Sequence, residues 1–260
     1  MSIHPSCVIS PEAVIAPDAK IGPFCIVQGQ VKIGARTRLD SHVSIGSEFG
    51  VVEIGEDNHI CSGAVLGGAP QDIHYKNDKT KLVIGNNNVI REFASINIGT
   101  VRGKGITQIG DRNLIMAYVH LGHDCQVGNH NIIVNSTQIA GHVQIEDHVT
   151  ISGVCAVNQF VKIGSYTFIA GASLVHKDVI PYSICRGNYA VSAATNKIGL
   201  ARAGVTPENI DNINRAIRIL LKGTGTVADS IDRIARECQS SKEIEYLVSF
   251  VKSSKRGIAK

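Results

Sequence analysis

The sequence predicts a mainly β protein: a parallel β-helix of six-residue repeats followed by a small α-helical domain. Three observations carry that expectation. Apolar residues recur every sixth position through most of the chain, without a break from Ile109 through Ile115, Leu121, Val127, Ile133, Ile139, Ile145, Ile151, Val157, Ile163 and Ile169 to Val175. A period of six fits neither a lone helix (3.6) nor a lone strand (2.0), but it fits a short strand plus a turn. The composition is 43% apolar yet 5% aromatic with no Trp, as a narrow core of Ile and Val requires. From Thr206 onward the apolar spacing becomes helical.

The repeat starts at Ile3 and runs through Ile9, Ile15, Ile21, Val27, Ile33, Leu39 and Ile45. It slips by a few residues at Ser47–Val51 and resumes at Ile54, Ile60 and Leu66. Three repeats close one triangular coil, so stacked positions are about 18 residues apart and about 4.8 Å apart in space. Two segments leave the pattern, 67–83 (GGAPQDIHYKNDKTKLV) and 97–108 (NIGTVRGKGITQ). An excursion that returns in phase is expected to carry function. The second segment, with three glycines, fits a plain turn better than a phosphate loop.

The β-helix is expected over residues 1–190, with 182–200 irregular, and the helical domain over 191–260. Thr206-Pro207 reads as a cap followed by Pro at the first helical position. Ile210, Ile213, Ile217, Leu220 and Leu221 form one stripe, ended by Gly223. Two further helices are expected at 226–238 and 242–253. A net charge of +4 is too mild to argue for nucleic acid. No apolar run is long enough to span a membrane, and MSIHPSCVIS lacks a signal-peptide pattern. The seven cysteines form no Cys-x-x-Cys and read as buried small hydrophobes of a reducing cytoplasm.

Chemistry concentrates at Met116–Asn129, MAYVHLGHDCQVGN. Counting one coil on from His123 reaches Gly141, and a second reaches Gln159. Asp124 falls beneath His142. A histidine, a carboxylate, polar side chains and a backbone N–H at a glycine therefore share one strip. Acyl transfer needs that set. Imidazole takes a proton near neutral pH, a carboxylate fixes its tautomer, and a close N–H meets the oxyanion. Cys125 is placed on the opposite face, which favours direct transfer over a covalent intermediate. A zinc site built on His120, His123 and His142 is the rival, but stacking pairs His120 with Gln138, so no metal is expected.

The blocks Pro70-Gln71-Asp72, His120-Leu121-Gly122-His123-Asp124-Cys125, Ala140-Gly141-His142-Val143, Gln159-Phe160 and Gly187-Asn188 resemble the UDP-N-acetylglucosamine 3-O-acyltransferases of lipid A biosynthesis. The likeness runs over nearly the whole chain. It implies a left-handed β-helix and a cytoplasmic homotrimer. It implies transfer of an (R)-3-hydroxyacyl chain from acyl carrier protein, which carries it on phosphopantetheine, so that no further cofactor is expected. The acceptor would be the 3-hydroxyl of UDP-N-acetylglucosamine. His123 would be the general base, with Asp124 beside it and the Gly141 N–H at the oxyanion. Asp72, His120, His142 and Gln159 would contact sugar or nucleotide, and Asn196 and Arg202 the UDP held by a neighbouring subunit. Gly171 would be a ruler for chain length, at the end of the column Ala117, Asn135, Gly153, Gly171. The chain departs from the pattern at Asn158, His74 and Ala203, where the family often has His, Lys and Arg. Alternatives are an N-acyl or acetyl-coenzyme A-dependent acyltransferase, or a metal-dependent hydratase of the same fold. Arg202, Arg215, Arg218, Lys222, Arg233 and Arg236 offer a basic dock for an acidic carrier protein.

Overall fold

The computed structural model describes residues 2–260. Most strands are two residues long, and each stacks in parallel on the strand one coil away. His120-Leu121 lies on Gln138-Ile139, which lies on Ala156-Val157, which lies on Leu174-Val175, each step being 18 residues. The result is a parallel β-helix whose strands form an 11-stranded and a 15-stranded sheet. The slip expected at Ser47–Val51 is absorbed in one long strand, Ser44–Ile54, which pairs with Ile26–Ile33 across a bulge at Gln28/Gln30.

The sixth-residue column points inward and is buried: Ile115, Leu121, Ile133, Ile139, Ile151, Ile169 and Val175 expose nothing. A second inward column lies two residues before it and is also buried, as at Val119, Cys125, Val143, Val149 and Val161. Cys25, Cys61, Cys125, Cys155 and Cys185 are buried as expected, whereas Cys7 and Cys238 are partly exposed; all seven thiols are free. Each fully buried Ile or Val contributes about 1.5–3 kcal/mol.

Between strands the chain turns a corner, and from Phe24 onward most corners use one residue in the left-handed region. Arg112, Tyr118, Asp124, His130, Ser136, His142, His148, Val154, Phe160, Tyr166 and Ala172 all have positive φ, at six-residue intervals. Few of them are glycine substitutes by type, so the stacked neighbours must hold them there. Along one corner buried asparagines form a ladder. Asn88 Nδ2 donates to Asn58 Oδ1 (3.0 Å), Asn113 Nδ2 to Asn88 Oδ1 (3.0 Å), and the Asn131 N–H to Asn113 Oδ1 (2.9 Å).

The segment 182–200 is ordered structure, contrary to the expectation. Ser183–Gly187 stacks in parallel on Phe168-Ile169 and then pairs antiparallel with Ala190–Thr195. This hairpin spans the 190/191 division and ends the stack. Short strands with no six-residue period leave little trace in sequence. Helix α1 (Lys197–Arg202) follows, with Asn196 at its N-cap.

Helices α2 (Pro207–Lys222), α3 (Val227–Glu237) and α4 (Lys242–Ser253) form where the periodicity puts them. The Thr206 side chain caps α2, Thr226 and Asp229 form a capping box on α3, and Ser241 caps α4. Ile210, Ile213, Ile217 and Leu220 pack into the second core. Helix α4 is tied to the β-helix through the Tyr246 hydroxyl on Glu146, and Ser254 Oγ just beyond it donates to Asp178 Oδ2 (2.7 Å).

Val154 is the corner residue least suited to its backbone: β-branched, 68% exposed and at φ 59°. A β-branched residue there costs about 1–2 kcal/mol. Val154→Asn is expected to raise unfolding stability by about 1 kcal/mol with the fold unchanged. Equilibrium denaturation of both proteins checks this.

Candidate active site

Asp124 occupies a left-handed corner, φ 61°, and its side chain is fully buried. A buried carboxylate needs donors, and it has four. His123 Nδ1–H (2.9 Å), the Thr100 N–H (3.0 Å) and Thr100 Oγ1–H (2.7 Å) meet Oδ2, and the Lys104 N–H (2.9 Å) meets Oδ1. Its own N–H donates to Thr107 Oγ1 (2.8 Å). Burial alone would raise this carboxyl. The hydrogen bonds from His123 and Thr100, with the charge of His142, outweigh it and hold the group at about 2. A depressed carboxyl stabilises the fold at ordinary pH and loses that contribution only as pH falls toward about 2.

With Nδ1 committed to Asp124, the His123 Nε2 lies beside the next coil. A Cβ on Gly141 would sit 2.7 Å from it, so glycine is what lets the ring and that backbone approach. The Gly141 N–H has no acceptor among the described residues, and the Gly141 carbonyl accepts from the Phe160 N–H (3.3 Å). His142 stands edge-on to His123 (4.9 Å between centroids, 88°) and stacks on Phe160 (4.4 Å, 10°). Asp72, in the first excursion, accepts from the His74 N–H (2.9 Å).

The structure thus brings His123, Asp124, Gly141, His142, Gln159 and Asp72 to one place. A cleft of about 650 Å³ is lined by Asp72, His74, Thr100, Arg102, His123, His142 and Gln159 among others. His120 lies on the adjoining strand, its Nδ1 hydrogen-bonded to Ser95 Oγ (2.8 Å). Gly171 is exposed at the far edge of the same face, three coils along. Asn196 and Arg202 are at a different corner: Asn196 Nδ2 donates to the Tyr166 carbonyl (2.9 Å), and Arg202 is exposed in the last turn of α1. Ala203 lies by that corner too, in a cleft with Tyr166 and Tyr182.

The second excursion is more than a plain turn. It wraps Asp124, and Gly103 is required there because a Cβ would lie 2.5 Å from the carboxylate. Thr100, Arg102, Gly103, Lys104 and Thr107 were not singled out from sequence. A signal was present: one coil back from Asp124 is Ile106, so the preceding residues had to cover this corner. The three-histidine zinc arrangement does not form, since His120 faces Ser95. His123, Asp124 and His142 do converge within 4.8 Å, but Asp124 Oδ2 already accepts three hydrogen bonds.

Burial, with the nearby charge of His123 adding to it, lowers the pKa of His120. Burial also lowers that of His142, against the opposing pull of Asp124. Both rings are then neutral at pH 7 and take protons below the ordinary histidine range. The unfolded chain binds those protons first, so stability should fall as pH drops through about 6.5. NMR titration of the ring nitrogens should give midpoints below that value for both residues.

The family described as UDP N-acetylglucosamine O-acyltransferase, domain 2, matches residues 178–259, and the bacterial transferase hexapeptide family matches 106–141. A curated relative from Thermodesulfovibrio yellowstonii is 43% identical over 99% of both chains. It is named acyl-(acyl-carrier-protein):UDP-N-acetylglucosamine O-acyltransferase. Among solved structures, LpxA from Acinetobacter baumannii is 43% identical, with TM-score 0.95 over 99% of both chains. UDP-N-acetylglucosamine O-acyltransferase from Moraxella catarrhalis is 39% identical, with TM-score 0.95 over the full length of both. Identity of this order over the whole length shows that the chain belongs to the UDP-N-acetylglucosamine O-acyltransferase family.

Proposed function

We propose that the protein moves an (R)-3-hydroxyacyl chain from acyl carrier protein to the 3-hydroxyl of UDP-N-acetylglucosamine, the first step of lipid A biosynthesis. The observation that carries the mechanism is the buried Asp124 on His123 Nδ1, which leaves Nε2 as the base beside Gly141. His123 Nε2 takes the proton of the sugar hydroxyl as its oxygen attacks the thioester carbonyl. The Gly141 N–H donates to the oxyanion. Collapse breaks the C–S bond, and the imidazolium returns the proton to the departing phosphopantetheine thiolate. Asp124 keeps the imidazole in one tautomer and offsets its charge while protonated. No step uses a metal or a cofactor of the protein's own.

Asp72, His120, His142 and Gln159 are the groups we assign to the sugar nucleotide, with Asn196 and Arg202 supplied by a neighbouring subunit. Open on one side, the cleft needs a second wall, and Ile73 at its rim is 95% exposed. A cytoplasmic homotrimer supplies that wall. For the carrier protein we favour the groove of α2 and α3, where Arg215, Arg218, Lys222 and Arg233 gather. Arg218 and Lys222 carry no ion pair there among the described residues.

Turnover with an acyl carrier protein thioester, and none with acetyl-coenzyme A, is the expected result. His123→Ala should cut that turnover by about 10²–10⁴ with melting unchanged. Near-normal turnover in the variant would remove His123 from the base role.

Chain length gives a second test. Gly171 lies outside the left-handed region, and a Cβ there meets nothing closer than the Gly153 carbonyl at 3.4 Å. A larger side chain therefore fits the fold. Gly171→Met should keep its melting curve and shift donor preference from roughly 14 carbons toward roughly 10, since each buried methylene is worth about 0.8 kcal/mol. Donors of graded length on both proteins measure this.

A further inference from the structure

We propose that Asp40, His59 and Cys61 form a zinc site on the outer surface of the N-terminal coils, separate from the His123 cleft. The three groups come together because of the stacking. Ile60 points inward, and His59 before it and Cys61 after it lie outside the aliphatic core, His59 half-buried and Cys61 5% exposed beneath it. Asp40 lies one coil below, its N–H bonded to the Ile60 carbonyl (2.9 Å). Asp40 Oδ2 is 2.9 Å from His59 Nε2, Cys61 Sγ is 3.9 Å from that same nitrogen, and all three atoms lie within 4.8 Å of one another.

Those spacings suit tetrahedral zinc. With ordinary bond lengths of about 2.0–2.3 Å, ligand atoms around one ion lie about 3.4 Å (N to O) and about 3.6 Å (N to S) apart. The nitrogen-to-oxygen separation would have to open by about 0.5 Å and the nitrogen-to-sulfur separation to close by about 0.3 Å, within the reach of side-chain rotation. Oxygen, nitrogen and thiolate together are a borderline-soft donor set, which favours zinc over magnesium or calcium. An aspartate and a thiolate carry two negative charges, which the ion neutralises. Arg38 engages the other carboxylate oxygen, Oδ1 (2.8 Å), and so orients Asp40 without occupying Oδ2. A cleft of about 400 Å³ borders Asp40. On binding, the ion takes the place between Nε2 and Oδ2 that a proton now holds. That proton moves to Nδ1 of the ring, and the thiol proton leaves to solvent.

Cobalt(II) is the probe, because its thiolate charge-transfer band reports a sulfur ligand directly. The full-length protein, stripped by chelator and kept reduced, is titrated with Co²⁺ and the ion then displaced with Zn²⁺. Expected are one equivalent per chain, a thiolate-to-cobalt band, and a zinc Kd of about 1 µM or tighter. Cys61→Ser should abolish the band. His59→Gln, at a surface position, should weaken binding at least tenfold with the melting curve kept, and it serves if the serine variant does not fold. His142→Ala should leave binding unchanged. An unaltered band and affinity in Cys61→Ser and His59→Gln, or no binding by the wild type at 100-fold that Kd, overturns the assignment.

Discussion

Everything in this molecule depends on the vertical register between coils. Most strands contribute only two residues, so the ladder hydrogen bonds of any one step are few, each worth about 1 kcal/mol net. What fixes the register is the doubled aliphatic column inside. Slipping a strand by one residue would turn Leu121 or Ile139 outward and His120 or Gln138 inward. The asparagine ladder adds a polar constraint at one corner: Asn58, Asn88 and Asn113 each take a donor from the coil above. The ladder stops at Asn131, because Val149 occupies the next position and only its N–H bonds to Asn131 Oδ1 (2.7 Å).

That register is also what builds the candidate site. Asp124, His142 and Phe160 are one corner position repeated, at φ 61°, 63° and 66°. Left-handed backbone projects these side chains to the outside at successive levels, about 4.8 Å apart. His123 and Gly141 are the positions just before them. An imidazole on one level thus meets a backbone N–H on the next without any dedicated loop. The same stacking places Asp40 under Cys61 elsewhere on the prism. A repeat of this kind brings chemically unlike residues together wherever consecutive coils differ at one corner.

Much of this was legible in the sequence, and the reason is arithmetic. A fixed number of residues per coil converts spacing into contact, so His123, Gly141 and Gln159 could be aligned without coordinates. So could Asp124 under His142. The arithmetic fails where the repeat is interrupted. Thr100 and Lys104 lie in an excursion with no period to calibrate it, so their grip on Asp124 could not be counted out. The hairpin Ser183–Thr195 was missed for a related reason: an antiparallel pair at the end of a stack obeys none of the stack's spacing. Periodicity also marks what points inward and says little about corners, so the left-handed run from Arg112 to Ala172 left no signal to find.

The excursions explain why the chemistry sits at one corner of this level and at no other. A corner histidine in a plain repeat is solvated, as His130 and His148 are where they stack on each other (4.8 Å, 6°). His123 differs because the 98–105 excursion folds over its neighbour and excludes water from Asp124, whose side chain is wholly buried. Burial strengthens the Asp124 to His123 bond, since charges attract more in a low dielectric. It would also push the carboxyl toward neutrality, and the hydrogen bonds from His123 and Thr100 are what prevent that. The loop therefore acts on His123 through the carboxylate. Gly103 is part of that device, because only a residue without a side chain lets the loop close onto Asp124. The repeat supplies the positions, and a break in the repeat supplies the environment that sets His123 apart from its other histidines.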